Sequence, residues 1–240
     1  GCSNPFQAGL GNNVDIDRPD GDINSPDAGQ YLSGVETLTG VHSDDTTTIP
    51  TVTLKLGNDP TEHAATVDED GWAYELNTTG LPDGELEVII TITDASGKST
   101  EKRRLYYVDN SPPVVLVKNP QGYATNKFNG LVTVRGEAAD LYPIDSVSVR
   151  ILDDTGSQLS LDPADGTNSW TLEFDSRTYA DPAGDLQIAV RATDRAGNVS
   201  TALLHYDDVL DDDNGQQVTV EDLRRIAEGG SVDGVVIDTA

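Results

Sequence analysis

Polar and apolar residues alternate strictly along several short stretches of the chain. Thr51–Leu56 places valine or leucine at every second position, and Ser146–Ile151 follows the same pattern with valine and isoleucine. A period of two indicates a strand with one buried and one solvent-facing side. Clusters of glycine, proline, aspartate and asparagine separate these stretches, as turns require. The pattern therefore predicts an all-β fold.

The alternating pattern occurs twice along the chain. Gly40 matches Gly136 at an offset of 96 residues, and Trp72 matches Trp170 at an offset of 98. The offset changes slowly because small insertions fall between the matched blocks. Self-similarity at a fixed period indicates repeated structural units. We interpret residues 22–108 and 109–207 as two copies of one domain.

Each repeat is expected to hold roughly seven strands. In the second repeat they are predicted at 113–118, 123–126, 130–138, 145–152, 168–175, 184–193 and 198–206. Several short strands at regular spacing, with no helical pattern between them, favour a β-sandwich. Trp72 and Trp170 each lie on a strand with apolar neighbours on the same side, so we assign both rings to the cores.

Two sequence runs carry a family resemblance. Ala192–Ser200 resembles the ATDxAGN hairpin of bacterial immunoglobulin-like repeats, and Thr91–Ser99 resembles a degenerate copy of it. Val108–Pro113 is similar to the joints between such repeats. The resemblance implies two tandem Ig-like (Big-type) sandwiches in a bacterial surface protein. It implies no single function, because these modules serve as spacers, adhesion arms and binding domains.

The hairpin residues have a local structural explanation. Asp94 and Asp194 can accept backbone N–H groups within the turn, and Gly97 and Gly197 can adopt a positive φ where the chain reverses. We assign all four residues to the turns rather than to a ligand site.

Net charge limits the partners. The chain of 240 residues carries a formal charge of −27 and has a pI of about 4.1. Such a chain repels nucleic acid and anionic membrane surfaces, so neither is an expected partner. A solvated acidic surface is the simplest interpretation of this charge.

The N-terminus resembles a bacterial lipoprotein. Gly1-Cys2-Ser3 is similar to the processed junction of these proteins, in which the cysteine thiol is lipidated, and Cys2 is the one cysteine of the sequence. Residues 1–21 are rich in Gly, Asn, Asp and Pro, as is typical of a flexible tether. The resemblance implies an extracytoplasmic protein at the outer membrane or cell surface, held to the membrane through Cys2 alone.

The sequence offers little for catalysis. Its histidines, His42, His63 and His205, do not have the spacing of a zinc site, and the common nucleophile and phosphate-binding motifs do not occur. We therefore predict a protein that is not an enzyme and needs no cofactor.

Calcium is the strongest candidate ligand at two places. Asp109 and Asn110 begin a segment that resembles the calcium-binding linker of cadherins, although a proline-stiffened joint explains the same residues. The acidic run 211–215 resembles an EF-hand loop in which Asp212, Asn214 and Glu221 would be ligands. Leu210 would then occupy the first ligand position, where it cannot coordinate.

Residues 208–240 depart from the repeat. An acidic linker precedes a short predicted helix that begins at Thr219, and Val232–Ile237 is a predicted strand. Three alternatives remain for this α/β segment: the start of a further domain, docking on the second repeat, or self-association by strand addition to a neighbouring molecule.

The interpretation that fits all these features is a surface stalk for adhesion, assembly or presentation of a protein or glycan partner. One alternative is a specific glycan- or protein-binding module, for which the candidate contact residues are tyrosines: Tyr106, Tyr107, Tyr123, Tyr142 and Tyr179. Another alternative is an accessory region of a larger surface enzyme.

Overall fold

The structure is a computed structural model that describes residues 17–45, 48–119, 131–152, 157–179 and 187–203. The chain divides into two compact units, Gly1–Val108 and Asp109–Ala240. Among the residues in these ranges, no helix is long and apolar enough to cross a bilayer.

The described part of the first unit consists of strands in two sheets. The strands are β1 (Asp20–Ser25), β2 (Tyr31–Leu32), β3 (Val35–Ser43), β4 (Thr51–Leu56), β5 (His63–Ala64), β6 (Thr66–Val67), β7 (Trp72–Asn77), β8 (Gly84–Thr93) and β9 (Ser99–Val108). The sheets have the orders β1-β3-β7-β6 and β2-β9-β8-β4-β5. The β2–β9 pair is parallel, and the other described pairs of this unit are antiparallel.

The second unit repeats this arrangement. Its described strands are β10 (Val114–Asn119), β11 (Leu131–Ala139), β12 (Ile144–Leu152), β13 (Gln158–Pro163), β14 (Ser169–Asp175), β15 (Gln187–Asp194) and β16 (Val199–Leu203). A short 3-10 helix, Ser176–Thr178, follows β14. The sheets have the orders β10-β11-β14 and β13-β12-β15-β16, and their strand pairs are antiparallel.

Alternate side chains of both sheets build the core of each unit. On β4, Val52, Leu54 and Leu56 are buried, whereas the residues between them are exposed or half-buried. They share one interior with side chains of the opposite sheet, which include Ile23, Leu38, Trp72 and Leu76. Each such side chain contributes about 1.5–3 kcal/mol when it is fully buried. Two sheets around one apolar interior form a β-sandwich.

The core of the second unit is also built around one tryptophan, with valine where the first core has mostly leucine. Val134, Val149 and Val190 are fully buried within it, and Trp170 is 2% exposed, compared with 3% for Trp72 in the first unit. The predicted all-β class with two tandem Ig-like sandwiches is therefore confirmed for the described residues. The predicted tether before Asp17 and the predicted C-terminal segment lie outside those residues.

Strand positions in the second unit show one omission. Six of the predicted strands overlap described ones, and the predicted strand at 123–126 lies outside the described residues. The prediction left out β13, although Gln158–Asp162 alternates polar and apolar residues. This strand lies at one end of the sheet that the described residues form.

Candidate functional site: the joint segments of the two units

The segment that leads into the second unit is held by a side chain of that unit's own hairpin. Asn198 Nδ2, in the turn between β15 and β16, donates to the carbonyl oxygen of Asp109 at 2.8 Å. The same nitrogen lies 2.9 Å from Asp194 Oδ2, and the backbone N–H of Asn198 donates to Asp194 Oδ1 at 2.9 Å. One amide side chain therefore fixes the segment to the turn.

The turn has the geometry that its residues favour. Asp194 ends β15, and its backbone N–H donates to the carbonyl oxygen of Asn198 at 3.1 Å. Gly197 has a φ of 88°, and a Cβ at this position would have no heavy atom within 4 Å. Glycine is therefore needed here for its backbone conformation rather than for its small size.

The first unit holds its own leading segment in a similar way. Lys98 Nζ, in the turn between β8 and β9, donates to the carbonyl oxygen of Asp17 at 2.9 Å. The backbone N–H of Lys98 and the hydroxyl of Ser96 each donate to Asp94 Oδ1 at 2.9 Å. Arg18 Nη1 also donates to the carbonyl oxygen of Ser99 at 2.7 Å. Lys98 in the first unit thus takes the place of Asn198 in the second.

We call Asp17–Pro19 and Asp109–Pro113 the joint segments. Asp17 falls within the predicted tether, whereas the structure places it against the first hairpin. In both segments an aspartate is followed by a proline within three residues. This shared pattern is the sequence feature from which the repeated joint could have been predicted. The roles of Lys98 and Asn198 were missed because each contacts a residue more than 80 positions away.

The two hairpin aspartates differ in their electrostatic environment. Burial by itself would raise the pKa of Asp94, but the hydrogen bonds from Lys98 and Ser96 and the Lys98 ammonium outweigh burial, so this pKa lies below its ordinary value. At Asp194 burial is the largest influence and exceeds the hydrogen bonds from Asn198, so this pKa is raised. The residue four positions after the aspartate is Lys98 in the first unit and Asn198 in the second. The pKa values of the two aspartates are shifted in opposite directions.

Buried carboxylates are present in the second unit, but they form no described metal cluster. Asp109 is fully buried, and Asp140, which accepts from the backbone N–H of Tyr142 at 3.1 Å, is 7% exposed. No group of three or more His, Cys, Asp or Glu side chains in the described ranges is arranged to hold a metal ion. Asp109 and Asn110 together would supply three side-chain oxygens, whereas calcium takes about 6–8 ligands. Calcium at this segment stays a prediction.

The other predicted ligands lie beyond the described part of the chain. Asp212, Asn214 and Glu221 belong to the segment after Leu203, and Cys2 precedes Asp17. The EF-hand-like loop and the lipidation site therefore stay predictions as well.

Three of the tyrosines considered as ligand contacts make contacts within the fold. Tyr106 is fully buried, and its hydroxyl donates to the carbonyl oxygen of Pro26 at 3.0 Å, so it cannot contact a ligand. The ring of Tyr107 stacks on Tyr31 with centroids 5.3 Å apart, and Tyr179 meets Phe174 edge-on at 6.0 Å. Tyr142 is half-buried, and Tyr123 lies outside the described residues.

Comparisons with known proteins give remote similarities. No family model matches the chain, and no curated protein matches it. The fibronectin(III)-like modules of Clostridium thermocellum CbhA are 17% identical, with 77% of this chain and 91% of that chain covered and a TM-score of 0.45. A Ca²⁺-stabilised adhesin that helps an Antarctic bacterium reach out and bind ice is 19% identical, with coverages of 78% and 47% and a TM-score of 0.40. Similarity at this level carries no argument about function.

Proposed function

We propose that this chain is a non-catalytic spacer of two Ig-like sandwiches at a bacterial cell surface. It holds a partner, or a further part of the protein, at a distance from the membrane. The observation that carries the proposal is the repeated joint, in which Lys98 binds the Asp17 carbonyl and Asn198 binds the Asp109 carbonyl.

The joints support a mechanical role for a simple reason. A chain segment that leaves a domain without tertiary contacts rotates freely, and orientation is lost across it. A segment that is hydrogen-bonded to the hairpin of the next domain keeps a fixed direction relative to that domain. In the second joint, Pro112 and Pro113 also restrict two φ angles. Both features reduce the freedom of the chain where it leads into a sandwich.

Attachment to the membrane forms the second part of the proposal. Cys2 would carry the lipid, and the residues that follow it would serve as a tether. The acidic surface is compatible with this arrangement, because it disfavours contact between the sandwiches and an anionic bilayer. Calcium bound by Asp109 and Asn110 would stiffen the second joint further.

A replacement experiment on intact cells separates a spacer from a specific binder. The chain carries a C-terminal epitope, and antibody access to this epitope is measured by flow cytometry. Deleting residues 20–108 should lower access, and inserting an unrelated sandwich of equal length should restore it. The proposal fails if the deletion leaves access unchanged. A Cys2→Ser variant tests the anchor separately, because it should release the protein into the medium.

A further inference from the structure

The two units differ at one sheet edge. In the second unit this edge is β13, which spans six residues and pairs only with β12 in the described part of the sheet. The corresponding edge of the first unit is β5, with two residues. Beside β5 lie Pro60 and an ion pair between Lys55 and Glu62 at 3.0 Å. Short strands, prolines and charges protect an edge from pairing with another chain. In β13 such residues are confined to its end, Asp162 and Pro163, whereas Gln158–Leu161 has neither a proline nor a charge.

On the side away from β12, β13 has no neighbouring strand in the described part of the sheet. Ala164 N–H donates to the Val147 carbonyl oxygen at 2.9 Å, next to the paired residues Ser148 and Pro163. Residue pairs in an antiparallel ladder alternate between hydrogen-bonded and non-bonded. Asp162 therefore bonds to β12, whereas the N–H and C=O of Leu161 point away from it. An added strand would find one donor and one acceptor at this residue.

Apolar and cationic side chains lie together on the outer face beside this edge. Leu159 is 41% exposed and Leu161 is 47% exposed. Arg150 lies directly across from Leu161, and Arg191 lies across from Ser148, two residues from Arg150, so both arginines share this face. Both arginines are half-buried, and the Nε atom of each is buried with no hydrogen-bond partner among the described residues. The face therefore offers two leucines and two guanidinium groups.

We propose that β13 is a docking edge for an extended acidic peptide segment of a partner protein. The segment adds as a further strand beside Leu161, packs apolar side chains on the two leucines, and places carboxylates near Arg150 and Arg191. An acidic segment fits this edge because the charged side chains on the neighbouring outer face are Arg150 and Arg191. A second copy of the chain would use the same backbone groups and is one outcome of the test. This docking edge does not depend on the spacer function.

The probe is a fluorescein-labelled nine-residue peptide that alternates valine with threonine and carries one glutamate near each end. A matched peptide has glutamine at both places. Binding is measured by fluorescence anisotropy at physiological salt, with amide chemical shifts to locate the contact. The wild-type chain should bind the glutamate peptide with shifts centred on Leu161. The glutamine peptide should bind about tenfold more weakly.

Three variants test the surface itself. Leu161→Pro removes the outward N–H without removing a ladder hydrogen bond, and it should abolish binding. Arg150→Glu should weaken binding of the glutamate peptide by about tenfold or more, because it reverses the charge beside the edge. Lys55→Glu makes the same charge change at the corresponding position of the first unit and should leave binding unchanged. Thermal melts establish that each variant is folded.

Several results would overturn the proposal. One is the absence of shifts at β13 with the peptide at millimolar concentration. Another is equal weakening of peptide binding by Arg150→Glu and Lys55→Glu, which would mean that binding depends on the net charge of the chain and not on the charge beside β13. A third is concentration-dependent dimerisation in sedimentation that Leu161→Pro abolishes, since a second copy would then occupy the edge.

Discussion

Gly40 lies directly across the sheet from Trp72, and the edge of the indole ring fills the space that a side chain at position 40 would need. A Cβ built on Gly40 would lie 2.5 Å from Trp72 Cε2 and closer still to the backbone oxygen of Asp22. The second unit has the same relationship between Gly136 and Trp170. In both sandwiches the large ring is therefore accommodated by a glycine on the neighbouring strand.

Gly40→Ala should destabilise the first unit by about 1–3 kcal/mol, because β1, β3 or the indole must move to admit the methyl group. Gly80→Ala is the matched control, since a Cβ there would have no heavy atom within 4 Å. The control should change stability by less than about 0.5 kcal/mol. Urea denaturation monitored by Trp72 fluorescence in a Trp170→Phe background measures both variants. Equal stabilities for the two would contradict this account of the packing.

Tyr106 predicts how the first unit responds to alkali. Burial, the largest influence, raises the pKa of its hydroxyl to about 12. Because this pKa is raised, the folded state holds the phenol proton more tightly than the unfolded state does. The resulting stabilisation is present below pH 10 and is lost as pH rises towards 12. The free energy of unfolding should fall by on the order of 2–3 kcal/mol over this window. Urea denaturation at several pH values measures this loss.

Tyr106→Phe separates the hydroxyl from other alkaline effects. The variant loses the hydrogen bond to Pro26 and should be less stable at pH 7 by about 1–2 kcal/mol. The difference between wild type and variant should shrink above pH 10. If the variant loses stability in alkali as steeply as the wild type, Tyr106 is not the responsible group.

Asp94 and Asp194 should show opposite pH dependence. The pKa of Asp94 is lowered, so its carboxylate stabilises the first unit above the unfolded pKa, and this effect is lost as pH falls through the folded pKa. The pKa of Asp194 is raised, so its stabilising effect is present in acid and is lost as pH rises through the folded pKa.

Two matched substitutions measure this difference. The destabilisation caused by Asp94→Asn should decrease on going from pH 7 to pH 3, whereas that caused by Asp194→Asn should increase. Single-tryptophan backgrounds, Trp170→Phe and Trp72→Phe, report the two units separately, because each unit holds one tryptophan. Parallel pH profiles for the two variants would show that Lys98 and Asn198 do not produce the contrast.

Calcium binding at Asp109 and Asn110 predicts a higher unfolding temperature. If the native state binds the ion there, millimolar calcium should raise the Tm by several degrees over excess chelator at constant ionic strength. Asp109→Asn should remove most of this rise. Asp212→Asn tests in the same way whether the EF-hand-like loop contributes to the rise in Tm. An unchanged Tm in the wild-type chain would overturn both calcium predictions.

Much of the fold could be predicted from the sequence, because strict alternation fixes which side chains of a strand are buried. Val52 and Leu54 on β4 are examples, and the matched Gly and Trp positions revealed the repeat. The burial of Tyr106 was not predicted from the sequence. Its position within β9 turns it inward while Leu105 is 37% exposed. Composition alone does not distinguish a buried tyrosine from an exposed one.

The joints and the open edge were harder to predict, for different physical reasons. The joints depend on single hydrogen bonds between residues far apart in sequence, and no local pattern encodes these contacts. The edge strand β13 has a local signal in the alternation of Leu159 and Leu161. Its functional interest comes from having one neighbouring strand in the described sheet, which depends on the topology of the whole unit.

Each joint segment is fixed to the hairpin of its own unit, and the backbone order of the second segment tests this most directly. Backbone ¹⁵N relaxation of the chain gives order parameters for the N–H groups of Asp109 and Asn110. Asn198→Ala removes the donor to the Asp109 carbonyl. Asn168→Ala is the control, because its amide donates to the Ala138 carbonyl at 3.4 Å within the second unit. We predict order parameters of about 0.85 for both N–H groups in the wild type and the control, and clearly lower values in Asn198→Ala. Wild-type values as low as those of Asn198→Ala would contradict this prediction.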